Sequence, residues 1–113
     1  MKKYFSLISI ATLLGNGFLC GGALAAEDEY PIVIKDHKFS PAALTVPAGK
    51  KIKLILSNED ASAEEFESYD LNREKVVAGH AKITVFVGPL APKTYRYFGD
   101  FHQDTAQGTI EAK

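Results

Sequence analysis

The sequence predicts an all-β sandwich of about seven to eight short strands. Three observations predict it. Runs of β-branched and apolar residues recur at short intervals. Turns rich in Gly and Pro separate them, as at Pro47-Ala48-Gly49 and Gly88-Pro89-Leu90-Ala91-Pro92. The stretch from Lys51 to Ser57 alternates: Ile52, Leu54 and Leu56 fall on one face, Lys51, Lys53 and Ser57 on the other, and Ile55 is the exception.

The first residues read as an address. Met1-Lys2-Lys3 is basic, Tyr4 to Leu19 is apolar, and Ala23-Leu24-Ala25 is a small-x-small cleavage site. This is the pattern of a secretory signal peptide over 1–25, cut after Ala25, with the bacterial periplasm as destination. The apolar run is short for a membrane span and is broken at Gly15-Asn16-Gly17, so no membrane insertion is expected after cleavage. Cys20 follows Gly17-Phe18-Leu19, residues that do not suit a lipid-anchor cleavage site.

Residues 26–113 then form one domain of 88 residues, near the lower size limit for a self-supporting core. Without Lys2 and Lys3 there are 11 basic against 14 acidic residues, a net charge of −3. No basic patch stands out, which argues against a nucleic-acid partner. Cys20 and Met1 are the chain's one cysteine and one methionine, so 26–113 contains no sulfur and no disulfide can staple it.

The strands follow in order. Tyr30 to Lys35 is the first, and Asp36-His37-Lys38 breaks it. Phe39-Ser40-Pro41 is turn-like, Leu44-Thr45-Val46 is a short second strand, and Lys51 to Ser57 is the alternating one. Glu59 to Glu74 holds seven acids: Glu59, Asp60, Glu64, Glu65, Glu67, Asp70 and Glu74, opposed by Arg73 alone. A helical alternative fits only Ser62 to Val77, and Gly79 would end it. Ile83 to Val87 is apolar on both faces, which predicts a central strand. Thr94 to Phe98 and Gly108 to Ala112 close the fold.

Phe39-x-Pro41, Leu44-Thr45-Val46-Pro47-Ala48-Gly49, the strand end Asn58-x-Asp60 and the stretch from Tyr95 to Gly108 resemble a cupredoxin, a Greek-key β-sandwich that usually holds copper. Two strings are more specific: Glu65-Phe66-Glu67-Ser68 with Arg73-Glu74-Lys75, and Phe98-Gly99-Asp100-Phe101-His102-Gln103-Asp104-Thr105-Ala106-Gln107-Gly108. They resemble the cupredoxin module of bacterial ferrous-iron uptake systems. The resemblance implies a protein that binds copper or iron and helps oxidise Fe(II) before transport. It would work beside a periplasmic iron-binding protein and an inner-membrane iron permease, as a component of a ferroxidase system rather than a stand-alone enzyme.

A blue-copper centre needs two His, a Cys thiolate and usually an axial Met. Laid on that pattern, the Cys position falls near Phe98, the Met position near Ala106 and the upstream His on Glu64 or Glu65. A sulfur-free domain excludes type 1 copper. Carboxylates and imidazoles remain, and they suit iron, Cu(II) or Mn(II). On a strand, Glu65 and Glu67 share a face with Cα atoms roughly 6.5–7 Å apart, and Phe66 points into the core. The candidate metal ligands are His102, Asp100, Glu67, Glu65 and His37. His102 is the one that keeps a family ligand position. His80 reads as an exposed turn residue, Tyr95 and Tyr97 as packing, and Arg73-Glu74-Lys75 as a docking segment or a plain ion-pair cluster. Two other functions compete: a metal-free interaction module whose acids dock a partner, and a Cu(II) binder of copper handling, which the lack of Met and Cys disfavours.

Overall fold

The computed structural model describes residues 28–113, so the expected signal peptide and its cleavage site lie outside the described residues. Nine strands run through them: β1 (Asp28–Lys35), β2 (Lys38–Ser40), β3 (Ala43–Val46), β4 (Ile52–Asn58), β5 (Glu64–Ser68), β6 (Arg73–Val77), β7 (Lys82–Val87), β8 (Lys93–Gly99) and β9 (Gln107–Ala112). A 3-10 turn over Asp100–His102 joins β8 to the loop before β9. The two sheets run β3-β9-β8-β5-β6 and β2-β1-β4-β7. β9 pairs parallel with β3, β1 pairs parallel with β4, and the remaining pairs are antiparallel. This is the predicted all-β sandwich, with no helix long and apolar enough to cross a membrane among the described residues.

The core sits between the sheets. Ile52, Leu54 and Leu56 of β4 pack with Ile32 and Ile34 of β1 against Phe66, Tyr97 and Ile110 of the facing sheet. Alternation places them there, because every second strand residue faces inward. Burying such side chains contributes about 1.5–3 kcal/mol each.

Two expectations change, and the helical alternative falls away. Ser62 to Val77 is a hairpin and not a helix: Glu64, Phe66 and Ser68 are buried while Glu65 and Glu67 are not, a period of two. Phe39 lies in a short strand and not a turn. Ile83 to Val87 lies at a sheet edge and not in the centre. Side chains cover that edge where a strand would. Arg73 Nε donates to the carbonyl of Phe86 at 2.8 Å, and Lys75 Nζ to that of Thr84 at 2.9 Å. Lys51 Nζ lies 4.8 Å above the Phe86 ring. Masking an edge with charged side chains also blocks pairing with another chain.

Asn58 ties the sandwich end together. Its side-chain amide donates to the carbonyls of Ser62 (2.9 Å) and Ala78 (3.2 Å), and its oxygen accepts the amide of Asp60 (3.0 Å). Because Asn58 is buried, Asn58→Ala strands several backbone groups, and a loss of about 2–3 kcal/mol is expected. Urea denaturation measures it.

Candidate metal centre

Glu65 and Glu67 project from the outer face of the five-stranded sheet while Phe66 fills the core behind them. Asp100 joins them from the 3-10 turn. One carboxylate oxygen from each of the three lies within 4.8 Å of the others. Gln103 Nε2 donates to Asp100 Oδ1 at 2.7 Å, which orients that carboxylate. Across the hairpin, Glu74 sits opposite Glu67 in register.

No lysine or arginine is paired with this group among the described residues. Arg73 directs its guanidinium to the carbonyls of Phe86, Leu71 and Asn72, and Lys75 turns to Thr84. Arg73-Glu74-Lys75 is therefore not an ion-pair cluster: two members reach across to β7 and Glu74 is left among acids. The consequence shows in the proton affinities. The Glu65 carboxyl is pushed up to about 7, first by its hydrogen bond with the Glu74 side chain, then by desolvation and the charges of Glu74, Glu67 and Asp100. Glu67 is raised as well, by desolvation first and then by Glu74 and Asp100. A proton on Glu65 relieves a repulsion that a cation would relieve further.

His102 is not part of that trio. Its Nδ1 lies 2.7 Å from Oε2 of Glu64, a carboxylate 1% exposed. Oε1 of Glu64 accepts the amides of Phe101 (2.8 Å) and Glu65 (2.9 Å). His37 stacks on His102 with ring centroids 3.5 Å apart and planes 11° from parallel. A two-residue turn puts His37 there. Asp36 and His37 have φ of 54° and 59°, the left-handed pair that a tight hairpin between β1 and β2 requires. Asp60 holds the turn by accepting both amides, at 2.8 and 3.0 Å. These bonds, led by the one from His37, hold the Asp60 carboxyl below its usual value.

The five sequence candidates thus fall into two neighbouring groups: Glu65, Glu67 and Asp100 on the sheet face, and His37 with His102 around Glu64. His80 is exposed, as expected. Tyr95 and Tyr97 are buried in the core, and the hydroxyl of Tyr97 lacks a hydrogen-bond partner there. Sequence reasoning missed the inward turn of Glu64. The burial alternation that sends Glu65 outward must send Glu64 inward, and that signal was available.

A type 1 copper centre does not fit. Phe98, expected near the Cys position, faces outward and meets Tyr69 at 5.6 Å between ring centroids. The next residue, Gly99, is buried and faces the interior. A Cβ built there would lie 2.6 Å from Glu64 Cδ and 2.7 Å from the Ala106 Cβ. The Glu64 carboxylate fills the space that a side chain at position 99 would need.

Comparison with known proteins agrees with this architecture. The profile of the family described as "Cupredoxin-like domain" matches residues 6–112. An uncharacterized protein of Rickettsia prowazekii is 56% identical over 82 residues, 73% of this chain and 66% of that protein, just under two thirds of its length. Auracyanin A, a "blue" copper protein of Chloroflexus aurantiacus, superposes with a TM-score of 0.67 at 16% identity, covering 78% of this chain and 100% of that one. A purple cupredoxin of Nitrosopumilus maritimus gives 0.58 at 17% identity, over 74% and 99%. The metal-binding domain of a Cu(I)-exporting P-type ATPase of Streptococcus pneumoniae gives 0.65 at 8%, over 75% and 84%. At these identities the solved structures speak for the fold alone.

Proposed function

Because this chain belongs to the cupredoxin-like domain family and offers oxygen and imidazole donors without sulfur, we propose that it is an exported metal-binding protein of iron uptake. In this reading it works in the bacterial periplasm and takes up Fe(II), or Cu(II), on Glu65, Glu67 and Asp100. It passes iron towards a periplasmic iron-binding protein and an inner-membrane permease. The observation that carries the reading is the carboxylate trio, gathered within 4.8 Å with no lysine or arginine paired to it among the described residues. Hard oxygen donors favour the more highly charged ion. Carboxylates holding Fe(II) therefore make it easier to oxidise by an external acceptor, which is how a small domain assists a ferroxidase system without turning over alone.

A second reading, a docking module without metal, draws on the apolar side chains around the same face: Val76, 52% exposed, Phe101, 50%, and Tyr69, 78%. Calorimetric titration separates the two. With Mn(II), Cu(II) and anaerobic Fe(II), the protein is expected to bind one ion per chain at this face. Glu67→Gln and Asp100→Asn are each expected to weaken binding by about tenfold or more, as loss of one charged donor does. Equal, weak binding by all variants leaves the docking module.

A further inference from the structure

We propose that Glu64 is a positioning residue: it fixes the tautomer of His102 and so presents Nε2 of that ring, rather than Nδ1, as a donor for a borderline divalent cation. The argument begins with the three hydrogen bonds of Glu64. Oε1 is committed to two amide donors, Phe101 and Glu65. Oε2 stands 2.7 Å from His102 Nδ1. A carboxylate is an acceptor only, so Nδ1 carries the hydrogen and the lone pair of the neutral ring sits on Nε2. No hydrogen bond within the described residues uses Nε2, and the ring is partly exposed.

The surroundings fix the ring as well as the tautomer. His37 lies flat against it at 3.5 Å. Gly99 leaves the space that Glu64 occupies. Its backbone, at φ −94° and ψ 113°, is an ordinary extended conformation, so glycine is required there for room and not for torsion. A buried carboxylate locked by two amides and aimed at one ring nitrogen, with the other left without a hydrogen bond among the described residues, is the arrangement by which proteins orient an imidazole donor and raise its basicity. The point is separate from the carboxylate trio. It rests on the metal-binding reading only for the class of ligand; the tautomer stands without it.

One substitution inverts the arrangement while keeping the shape. In Glu64→Gln the side-chain oxygen stays with the two amides, and the NH2 group takes the place of Oε2. It donates to Nδ1, which forces the hydrogen onto Nε2 and removes the lone pair. Nitrogen-15 NMR of the full chain, cation-free at about pH 8 where an ordinary imidazole is neutral, reads the tautomer directly. The native protein is expected to show Nδ1–H, and Glu64→Gln to show Nε2–H. Zn(II) is then titrated in a Glu65→Gln/Glu67→Gln background, which removes the trio. Adding His102→Ala or Glu64→Gln is expected to weaken binding by about tenfold or more. A native ring found as Nε2–H or as imidazolium overturns the proposal, and this reading needs no variant to fold. Unchanged Zn(II) affinity in His102→Ala, or in a folded Glu64→Gln, overturns it too. Failure of the trio variants to lose Mn(II) would instead count against the function proposed above and leave the tautomer untouched.

Discussion

Gly99→Ala is expected to cost about 3 kcal/mol, the upper part of the range for overpacking a filled site. A single methyl group would meet Glu64 Cδ at 2.6 Å, Glu64 Oε2 at 2.7 Å and the Ala106 Cβ at 2.7 Å. None of these can retreat cheaply. Ala106 is buried and backbone-bonded to His102 and Gly99, and Glu64 is held by two amides and an imidazole. Displacing Glu64 would release all three of its donors in a partly buried setting. Gly49→Ala is the control. Gly49 has φ of +78° and open space around it, so only torsional strain acts and about 1 kcal/mol is expected. Urea denaturation of both variants measures the difference. In a Glu64→Ala background the cost of Gly99→Ala is expected to shrink by at least about 1 kcal/mol, because residues in direct contact are not additive. Equal costs for Gly49→Ala and Gly99→Ala would sink the packing account of Gly99.

The same residues mark how far the sequence could be read. The period-two run at Lys51–Ser57 was legible because one face of β4 is buried against the opposite sheet and the other faces out. The shared face of Glu65 and Glu67 was legible for the same reason once a strand was assumed. What escaped depends on contacts between residues distant in sequence. Phe86 and Ile83 look central because nothing local announces that Arg73 and Lys75, from the other sheet, will cover the β7 edge. His102 was grouped with the trio because a loop's sequence does not say which way its imidazole turns. That direction is set by Glu64, 38 positions away, and by His37 beyond it. Likewise Gly99 reads as a loop glycine until the carboxylate lying where its side chain would go is seen.

The opposite responses of the cation-free and the loaded protein to pH give the most direct physical signature of the carboxylate trio. The folded protein holds a proton on Glu65 with a pKa raised from 4.5 to about 7. A raised value means that the folded state binds the proton more tightly than the unfolded chain does. The contribution is full below the unfolded value and disappears as pH rises through about 7. Glu67 acts in the same direction. Asp60 acts in the other direction, but its lowered value confines it to acid, where the hold on the Asp36-His37 turn is lost as the carboxylate protonates. Between about pH 5 and 8, cation-free stability is therefore expected to fall with rising pH, and Glu65→Gln is expected to flatten the fall. A bound cation reverses the slope, since it competes with the proton for the same oxygens. At about 100 times its dissociation constant a ligand that binds only the folded state adds about 2.7 kcal/mol. With Mn(II) that gain is expected near pH 8 and should fade towards pH 5 as Glu65 takes up its proton. Urea midpoints at three pH values, with and without Mn(II), decide the matter. Parallel slopes in the two series would mean that the protons and the ion do not share a site, and the carboxylate trio would then be only a repulsive surface.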